Sequence, residues 1–574
     1  MSKSKRSKTK TKVKTKLLKK GAPHPQNKKQ PHKYIFVLGG VMSGVGKGVT
    51  TASIGKILSA RGFKVNPMKI DPYLNVDAGT MNPIEHGEVF VLDSGLECDQ
   101  DMGNYERFLD VSVPPENYMT SGMVYKYVID KERALGYGGK CVDPIPALPD
   151  EILRRLKVAR EKTRSDVTIV EIGGTVGEYQ NAIFIEAARI LKLKNPDDVI
   201  FVLVSYLPVP DKIGEMKTKP TQYAVRSLNS YGVHPDIIVA RSERPLDLRR
   251  KEKIAFSSNV PVEHIISAPD ADSIYDIPLN FEQDRLSDTL LKILKTTPRS
   301  RDLNDWRKMV ARIKNSTDEI KIGVVGKYFK TGDFVLSDVY ISIIESLKHA
   351  AGAHKVKAKL EWLDASDYEN NSKKLAELEN FDGILVPGGF GERGVEGKIA
   401  AIRYARERGI PYFGLCYGMQ LMVIEFARHV TGLTGAHTTE VNTKTKYPVI
   451  DIMPDQKEKM ARSDYGGTMR LGAYAAQVKK GTIAHEAYGS NKISERHRHR
   501  FEVNPEFIKL LEEKGLTFSA TSPDGVLMEI AELPRETHPF CLGTQFHPEF
   551  KSTPLNPHPL FLEFIKAAKK RAGK

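Results

Sequence analysis

A cysteine flanked by glycines, Gly414-Leu-Cys416-Tyr-Gly418, separates the apolar run Ile410 to Cys416 from the helical run MQLMVIEFARHV. A nucleophile on a sharp strand-to-helix turn needs small neighbours, because the turn crowds the adjacent backbone. The helix N-terminus that follows favours a thiolate through its dipole and free N–H groups. Taken alone, Cys416 reads equally well as a buried strand-end cysteine, as Cys541 in PFCLGTQFH does. The run Gln545-Phe-His547-Pro-Glu549 shifts the balance by supplying a base and an orienting carboxylate two residues apart. A third run, Pro387-Gly-Gly-Phe-Gly391, ends an apolar segment with bare backbone amides, which suit an oxyanion hole.

A second group of residues points to phosphate chemistry. LGGVMSGVGKGVTT, Leu38 to Thr51, follows the apolar YIFVLGG and opens the helical TTASIGKILSARG. Strand, glycine loop and helix in that order make a cradle for phosphates, with Lys47 as its cation. Gly48 and Val49, however, stand where such a loop places the hydroxyl that binds magnesium. Asp99 and Asp101 in ECDQDMGNYERF, and Glu171 ending TIVE, are the candidate replacements. Carboxylates are hard-oxygen ligands suited to Mg²⁺, although each alone could be a solvated loop charge.

These residues need elements to hold them. Apolar runs bounded by turn residues occur at Tyr34 to Gly40, Lys64 to Asp71, Val167 to Gly174, Val199 to Tyr206, Asp236 to Ser242 and His264 to Asp270. With helical segments between them, they predict a parallel sheet whose ligands gather at the carboxyl ends of its strands. Thr296 to Asp318 is strongly charged and reads as a linker with one short helix. Beyond it, Ile320 to Tyr328, Lys357 to Ala365, Gly383 to Gly391, Ile410 to Cys416 and Phe540 to His547 predict a second α/β domain. The expected division is a disordered basic tail (1–33), a first domain (34–295), a linker (296–318) and a second domain (319–574).

Of the formal charge of +16, 13 Lys or Arg lie in residues 1–33, which hold no Asp or Glu. The basicity therefore belongs to a tail too polar to fold alone, read as solvated, with weak polyanion binding as the alternative. No apolar run reaches the ~18 residues that span a bilayer, and the tail lacks a secretory apolar region. Four cysteines without a CxxC pair argue against a structural zinc site or a disulfide framework. The expectation is a soluble protein of the cytoplasm without membrane partners.

PGGFG, GLCYGMQ and QFHPEF, in that order, resemble the class I glutamine amidotransferase domain. The resemblance implies that Cys416 is the nucleophile, His547 the base and Glu549 its orienter. Gly389 and the Tyr417 amide would polarise the amide carbonyl, while Gly418, Met419, Gln420, Glu440 and Arg500 fall in the glutamine site. Further upstream, GGVMSGVGKG, MKIDPYLNVDAGTMNPIEHGEVFV, DMGNYERF, VEIGGTVGE and KTKPTQ resemble the CTP synthase family, and the likeness runs from Tyr34 to about Ala568. It implies a P-loop, dethiobiotin-synthetase-like parallel-sheet domain followed by a flavodoxin-like amidotransferase domain. The implied reaction is ATP-dependent phosphorylation of the uracil O4 of UTP, then displacement of phosphate by ammonia released from L-glutamine.

By the same resemblance, Gly44, Val45, Gly46, Lys47, Gly48, Val49, Lys69 and Asp101 contact ATP, and Asp101 with Glu171 holds Mg²⁺. Ser43, Glu178, Tyr179, Gln180, Lys217, Thr218, Lys219, Pro220, Thr221, Gln222 and Lys253 match the positions that contact UTP or the product CTP. Activation by GTP, inhibition by CTP, a homotetramer and filaments belong to the same implication. The chain departs from the family's usual wording at Glu178-Tyr179-Gln180 and at KCVDPIPALP, Lys140 to Pro149. Two other readings compete: a nucleotide-switched ATPase that binds nucleic acid through its tail, and an inactive assembly protein. The near-neutral body opposes the first, and the intact Cys416, His547 and Glu549 set opposes both.

Overall fold

Apolar runs are buried on both faces only when helices cover each side of a sheet. The structure, a computed structural model, places them in two such sheets. It describes residues 31–574 except 211–213, 300–301, 328–329, 332–333, 336, 390, 454–455 and 457–466. Of the expected basic tail, residues 1–30 lie outside the described residues.

The first sheet has seven parallel strands. In order across the sheet they are Tyr118–Thr120, Val65–Asp71, Val167–Ile172, Lys33–Gly39, Val199–Tyr206, Ile237–Ser242 and Ile265–Pro269. Six of them are the predicted runs. Tyr118–Thr120, an edge strand of three residues, is too short to carry a periodic signal. Successive side chains alternate between faces, so Ile35, Val37 and Val202 enter one apolar cluster while Phe36, Leu38 and Leu203 enter the other. Lys33–Gly39 leads to a strand on one side of it and Val199–Tyr206 lies on the other, which opens a crevice at their carboxyl ends.

The second sheet has nine strands. Val356–Asp364, Asp318–Gly326, Gly383–Val386, Tyr412–Leu415 and Cys541–Thr544 are parallel neighbours in that order. Met528–Glu532, Thr517–Thr521, Arg470–Val478 and Lys492–His499 extend the sheet with antiparallel pairs. The four antiparallel strands were not among the predicted ones. Segments such as KISERHRH mix charges with apolar residues and lack the continuous apolar character of buried parallel strands.

The charged segment 296–318 holds one helix of eleven residues, and that helix is packed on the core. Its helix, Asn304–Lys314, buries Trp306, Met309 and Val310 in the cluster that holds Phe108 and Tyr275. The Trp306 indole N–H donates to the Tyr275 carbonyl at 2.8 Å, so the linker's apolar face belongs to the core of the first half. His32–Lys574 forms one compact unit.

Charged groups bind the two halves together. Arg496, 1% exposed on the strand Lys492–His499, donates to Asp93 at 2.6 Å and to Glu106 at 2.7 Å. Arg498 pairs with Glu97 at 2.8 Å, and the Ser342 N–H donates to Glu88 at 3.1 Å. All four cysteines are free, and among the described residues no helix is long and apolar enough to cross a membrane.

Candidate active site

The turn after Tyr412–Leu415 holds Cys416 at φ 49°, ψ −99°, a backbone strained for a side chain with a Cβ. Helix Tyr417–His429 starts at the next residue. Close approach explains Gly418: a Cβ there would stand 2.3 Å from the Val386 carbonyl oxygen. The strand thus delivers a buried thiol to the N-terminus of a helix, as the glycine spacing predicts.

Around the sulfur, the Gln545 side-chain amide lies 3.8 Å away, and the thiol faces the Arg498 carbonyl at 3.8 Å. Gln420 donates to Gln545 at 3.2 Å and to the Phe501 carbonyl at 2.9 Å, so one amide fixes the other. His547 Nδ1 is 2.7 Å from Glu549 Oε1, which leaves Nε2 for Cys416. Burial alone would lower the His547 pKa. The Glu549 carboxylate and the neighbouring Cys416 outweigh it and raise the value to about 10. The imidazole therefore carries its proton at neutral pH. Because that value exceeds an unfolded imidazole's, the pair's contribution to stability is complete below about pH 6.5 and disappears as pH rises through about 10.

A cavity of about 790 Å³ opens on this cysteine and histidine. Gly388, Gly389, Gln420, Glu440 and Arg500 line it from the second half, whereas Gly79, Met81 and Glu88 line it from the first. Glu440 accepts the Gly391 N–H at 2.8 Å, and burial raises its pKa. Arg500 donates to Gln456 at 2.7 Å and to Thr468 at 3.1 Å. The Met419 side chain is wholly buried in the core, so only its backbone can face a ligand.

The second cluster sits at the carboxyl ends of the first sheet. Lys69 and Glu171 are register partners on adjacent strands. The Lys69 ammonium donates to Asp101 and, at 3.1 Å, to Glu171, with Asp99 at 3.6 Å and Asp71 at 3.7 Å. Burial opposes this charge, but the four carboxylates raise its pKa well above that of an ordinary lysine. Four acids share one ammonium unequally. Burial pushes Asp99 and Glu171 up to about 7, while Lys69 outweighs burial at Asp101 and holds it at about 2. Lys47, buried beside them, has its pKa lowered by that burial.

Gly48 answers the question raised by the unusual loop. A Cβ at this position would stand 1.8 Å from Asp101 Oδ1, so the carboxylate occupies the place of a hydroxyl-bearing side chain. Asp71, His86 and Asp99 form a further set of potential ligands within 4.8 Å of one another, of which the sequence singles out only Asp99. Val49 packs its side chain on the core, and it can offer a phosphate only its backbone.

The expected pyrimidine-nucleotide positions divide into satisfied and open groups. Glu178 accepts from the Thr175 N–H at 3.0 Å, the Thr175 hydroxyl at 2.7 Å and Gln180 at 2.7 Å, so it ties down its own loop. The Thr221 hydroxyl is bonded to Ser205 at 2.9 Å, and Thr218 receives Gln222 at 3.2 Å. Ser43, Lys219 and Lys253 are exposed, and Tyr179 is 96% exposed. Lys217 pairs with Glu215 at 2.6 Å, and Pro220 lies in the first turn of helix Lys219–Ser230. Gly44, Val45 and Gly46 complete the turn into helix Lys47–Ala60. The sequence reading omitted Gln545 from the site although its motif contained it, and omitted Arg498, whose contribution is a carbonyl that no residue type advertises.

Residues 33–296 match the family described as CTP synthase N-terminus, and residues 335–567 match glutamine amidotransferase class-I. The CTP synthase of Pyrococcus furiosus is 52% identical over 540 residues, covering 94% of this chain and 98% of that protein. That of Moorella thermoacetica is 49% identical over 544 residues, with 95% and 99% covered. A solved structure of the glutaminase domain of Trypanosoma brucei CTPS with bound acivicin is 39% identical, covering 44% of this chain and 94% of that one, with a TM-score of 0.40.

Proposed function

Because the chain belongs to the CTP synthase family, we propose that it makes CTP from UTP, ATP and ammonia, with the ammonia released from L-glutamine at Cys416. The observation that carries this reading is the shared cavity. Gly79 of the first half and Cys416 of the second line the same space, and Gly79 is eight residues along the chain from Asp71 in the lysine–carboxylate cluster. An extended chain spans about 3.5 Å per residue, so less than ~30 Å of backbone separates Asp71 from the edge of that cavity at Gly79. We place the division between halves at residues 296–318.

In the second half, Cys416 Sγ attacks the glutamine amide carbon. His547 gives its proton to the departing ammonia, then takes one from the water that hydrolyses the thioester. Glu549 holds the imidazole in orientation, and the Gly389 and Tyr417 N–H groups receive the developing oxyanion. Glu440 and Arg500 would take the charged groups at the α-carbon of glutamine, with Gln420, Met419 and Gly418 shaping that end through backbone and amide.

In the first half, the loop amides from Gly44 to Val49 and the Lys47 ammonium would hold the ATP phosphates, with Ser43 towards the pyrimidine nucleotide. Uracil O4 is a poor leaving group until phosphorylated, and Lys69 stands where charge on the transferring phosphoryl needs compensation. Lys217 to Gln222, Lys253 and the Glu178 to Gln180 loop would receive UTP. Two acids held neutral up to about pH 7 around one lysine are a surplus of buried carboxylate that fits Mg²⁺. Asp101 and Glu171 would hold the ion, which when bound would neutralise phosphate charge. Exclusion of water by the shared cavity would protect both ammonia and the activated pyrimidine. Activation by GTP, inhibition by CTP and a tetramer are part of the same proposal, and they rest on family resemblance alone.

The reading is tested by following the ultraviolet absorbance change of UTP becoming CTP with ATP, Mg²⁺ and either glutamine or an ammonium salt. No CTP from either nitrogen source would sink it. A finer test bears on the acid–base pair. Glu549→Gln keeps a hydrogen bond but removes the anion that raises His547, so glutamine hydrolysis should slow on the order of 10²-fold or more. Ammonia-dependent synthesis should stay at the wild-type rate, and equal loss of both would count against the assignment.

A further inference from the structure

Lys398 is unused by the chemistry above, yet its position is costly. It lies in the first turn of helix Val395–Arg408, where the macrodipole disfavours a cation. Its side chain is 1% exposed, and its ammonium has no hydrogen-bond acceptor among the described residues. An unpaired buried charge is destabilising unless something offsets it. Beside it stand two residues proposed above to receive the oxyanion. A Cβ at Gly389 would lie 4.0 Å from Lys398 Nζ, and the same ammonium stands 5.5 Å from the centre of the Tyr417 ring. One cation thus lies beside both residues whose N–H groups are proposed to face the glutamine carbonyl.

The other charged groups facing it do not cancel it. Lys327, beyond the strand Asp318–Gly326, repels it. Glu369 is occupied by the Glu396 and Gly397 N–H groups at the helix start, at 3.1 and 3.3 Å. Glu440, across the loop, accepts the Gly391 N–H. Both carboxylates attract the ammonium from a distance, and neither bonds to it. The oxyanion proposed above would add a demand for positive charge beside Gly389 and Tyr417, and it exists only during the reaction.

We propose that Lys398 is a positioning residue for glutamine hydrolysis, whose buried ammonium sets Gly389 and the Tyr417 turn and biases both amides towards a negatively charged carbonyl oxygen. This rests on the amidotransferase reading. Burial, then Lys327, lowers the Lys398 pKa to about 7, so the cation is present below that pH and lost above it. Glutamine hydrolysis should accordingly show an alkaline limb near neutrality.

The test uses Lys398→Met and Lys398→Gln in the full chain, measuring kcat and KM for glutamine hydrolysis from pH 6 to 9 beside ammonia-dependent CTP formation. Expected are a roughly 10- to 100-fold fall in glutamine kcat, less than the ~10²- to 10³-fold of losing an oxyanion donor outright, and a KM changed less than about threefold. The alkaline limb should vanish, and ammonia-dependent synthesis should be unchanged. A wild-type glutamine kcat and pH profile in both variants overturns the inference. So does parallel loss of ammonia-dependent synthesis in both, which would make Lys398 a packing residue. If the wild-type protein hydrolyses no glutamine, the amidotransferase reading itself has failed.

Discussion

Cys416→Ala is expected to remove glutamine-dependent CTP formation by at least about 10³-fold while leaving the rate with ammonium salt within about twofold of wild type. No other group can substitute for the sulfur, because Cys98 and Cys541 are buried in apolar cores and Cys141 is exposed, and none of the three lines the cavity. The substitution deletes one atom at a buried turn whose backbone is fixed from both sides: Gly418 lies against Val386, and the Cys416 N–H donates to Thr544 at 2.6 Å. Alanine at φ 49° carries the strain that cysteine already carries, so the fold should survive. Steady-state assays with the two nitrogen sources separate the outcomes. Loss of both activities would mean that Cys416 supports the synthetase cluster as well, and separate sites would then be untenable.

The legible part of this molecule is the part that repeats a local rule. Apolar runs marked six of seven strands in the first sheet and the parallel strands of the second, most clearly where burial on both faces leaves one composition; Val356–Asp364, a half-exposed edge strand, mixes lysines with its apolar residues. The nucleophile turn was legible for a similar reason, since the backbone crowding at Gly418 leaves no side chain possible. What escaped was written in three dimensions. Arg470–Val478 and Lys492–His499 are strands whose charges are paired in the interior: Arg470 with Glu529 at 2.6 Å, and Arg496 with Glu106. In one dimension such residues read as surface. Trp306 sits in a sequence of charges, and only the packing of Phe108 and Tyr275 shows which face of its helix is inside. Lys398 was hidden for the same reason, as a lysine on a helix is ordinarily solvated.

Gly48→Ser, which would write the missing hydroxyl back into the phosphate loop, should abolish CTP formation from glutamine and from ammonia alike. By comparison with other loop changes it looks conservative, since serine is small and helix-compatible. Here its Cβ alone would stand 1.8 Å from Asp101 Oδ1 and 2.5 Å from Cγ, before the hydroxyl is counted. The clash can be relieved only by moving Asp101, the first residue of helix Asp101–Leu109, whose backbone N–H is already tied to Asp99 at 2.7 Å. Moving its carboxylate breaks the bond to Lys69 and removes the ionised acid that most supports that ammonium. Phosphate cradle, lysine and proposed metal ligand would then fail together, and a loss of at least about 10²-fold is expected from displacing one preorganised charge in such a site. Basal glutamine hydrolysis should persist, the mirror image of Cys416→Ala, and a thermal unfolding midpoint near the wild-type value would separate a local clash from a folding failure. Synthesis at the wild-type rate in Gly48→Ser would show that Asp101 has room to retreat, and the proposal that its carboxylate replaces the loop hydroxyl would fall.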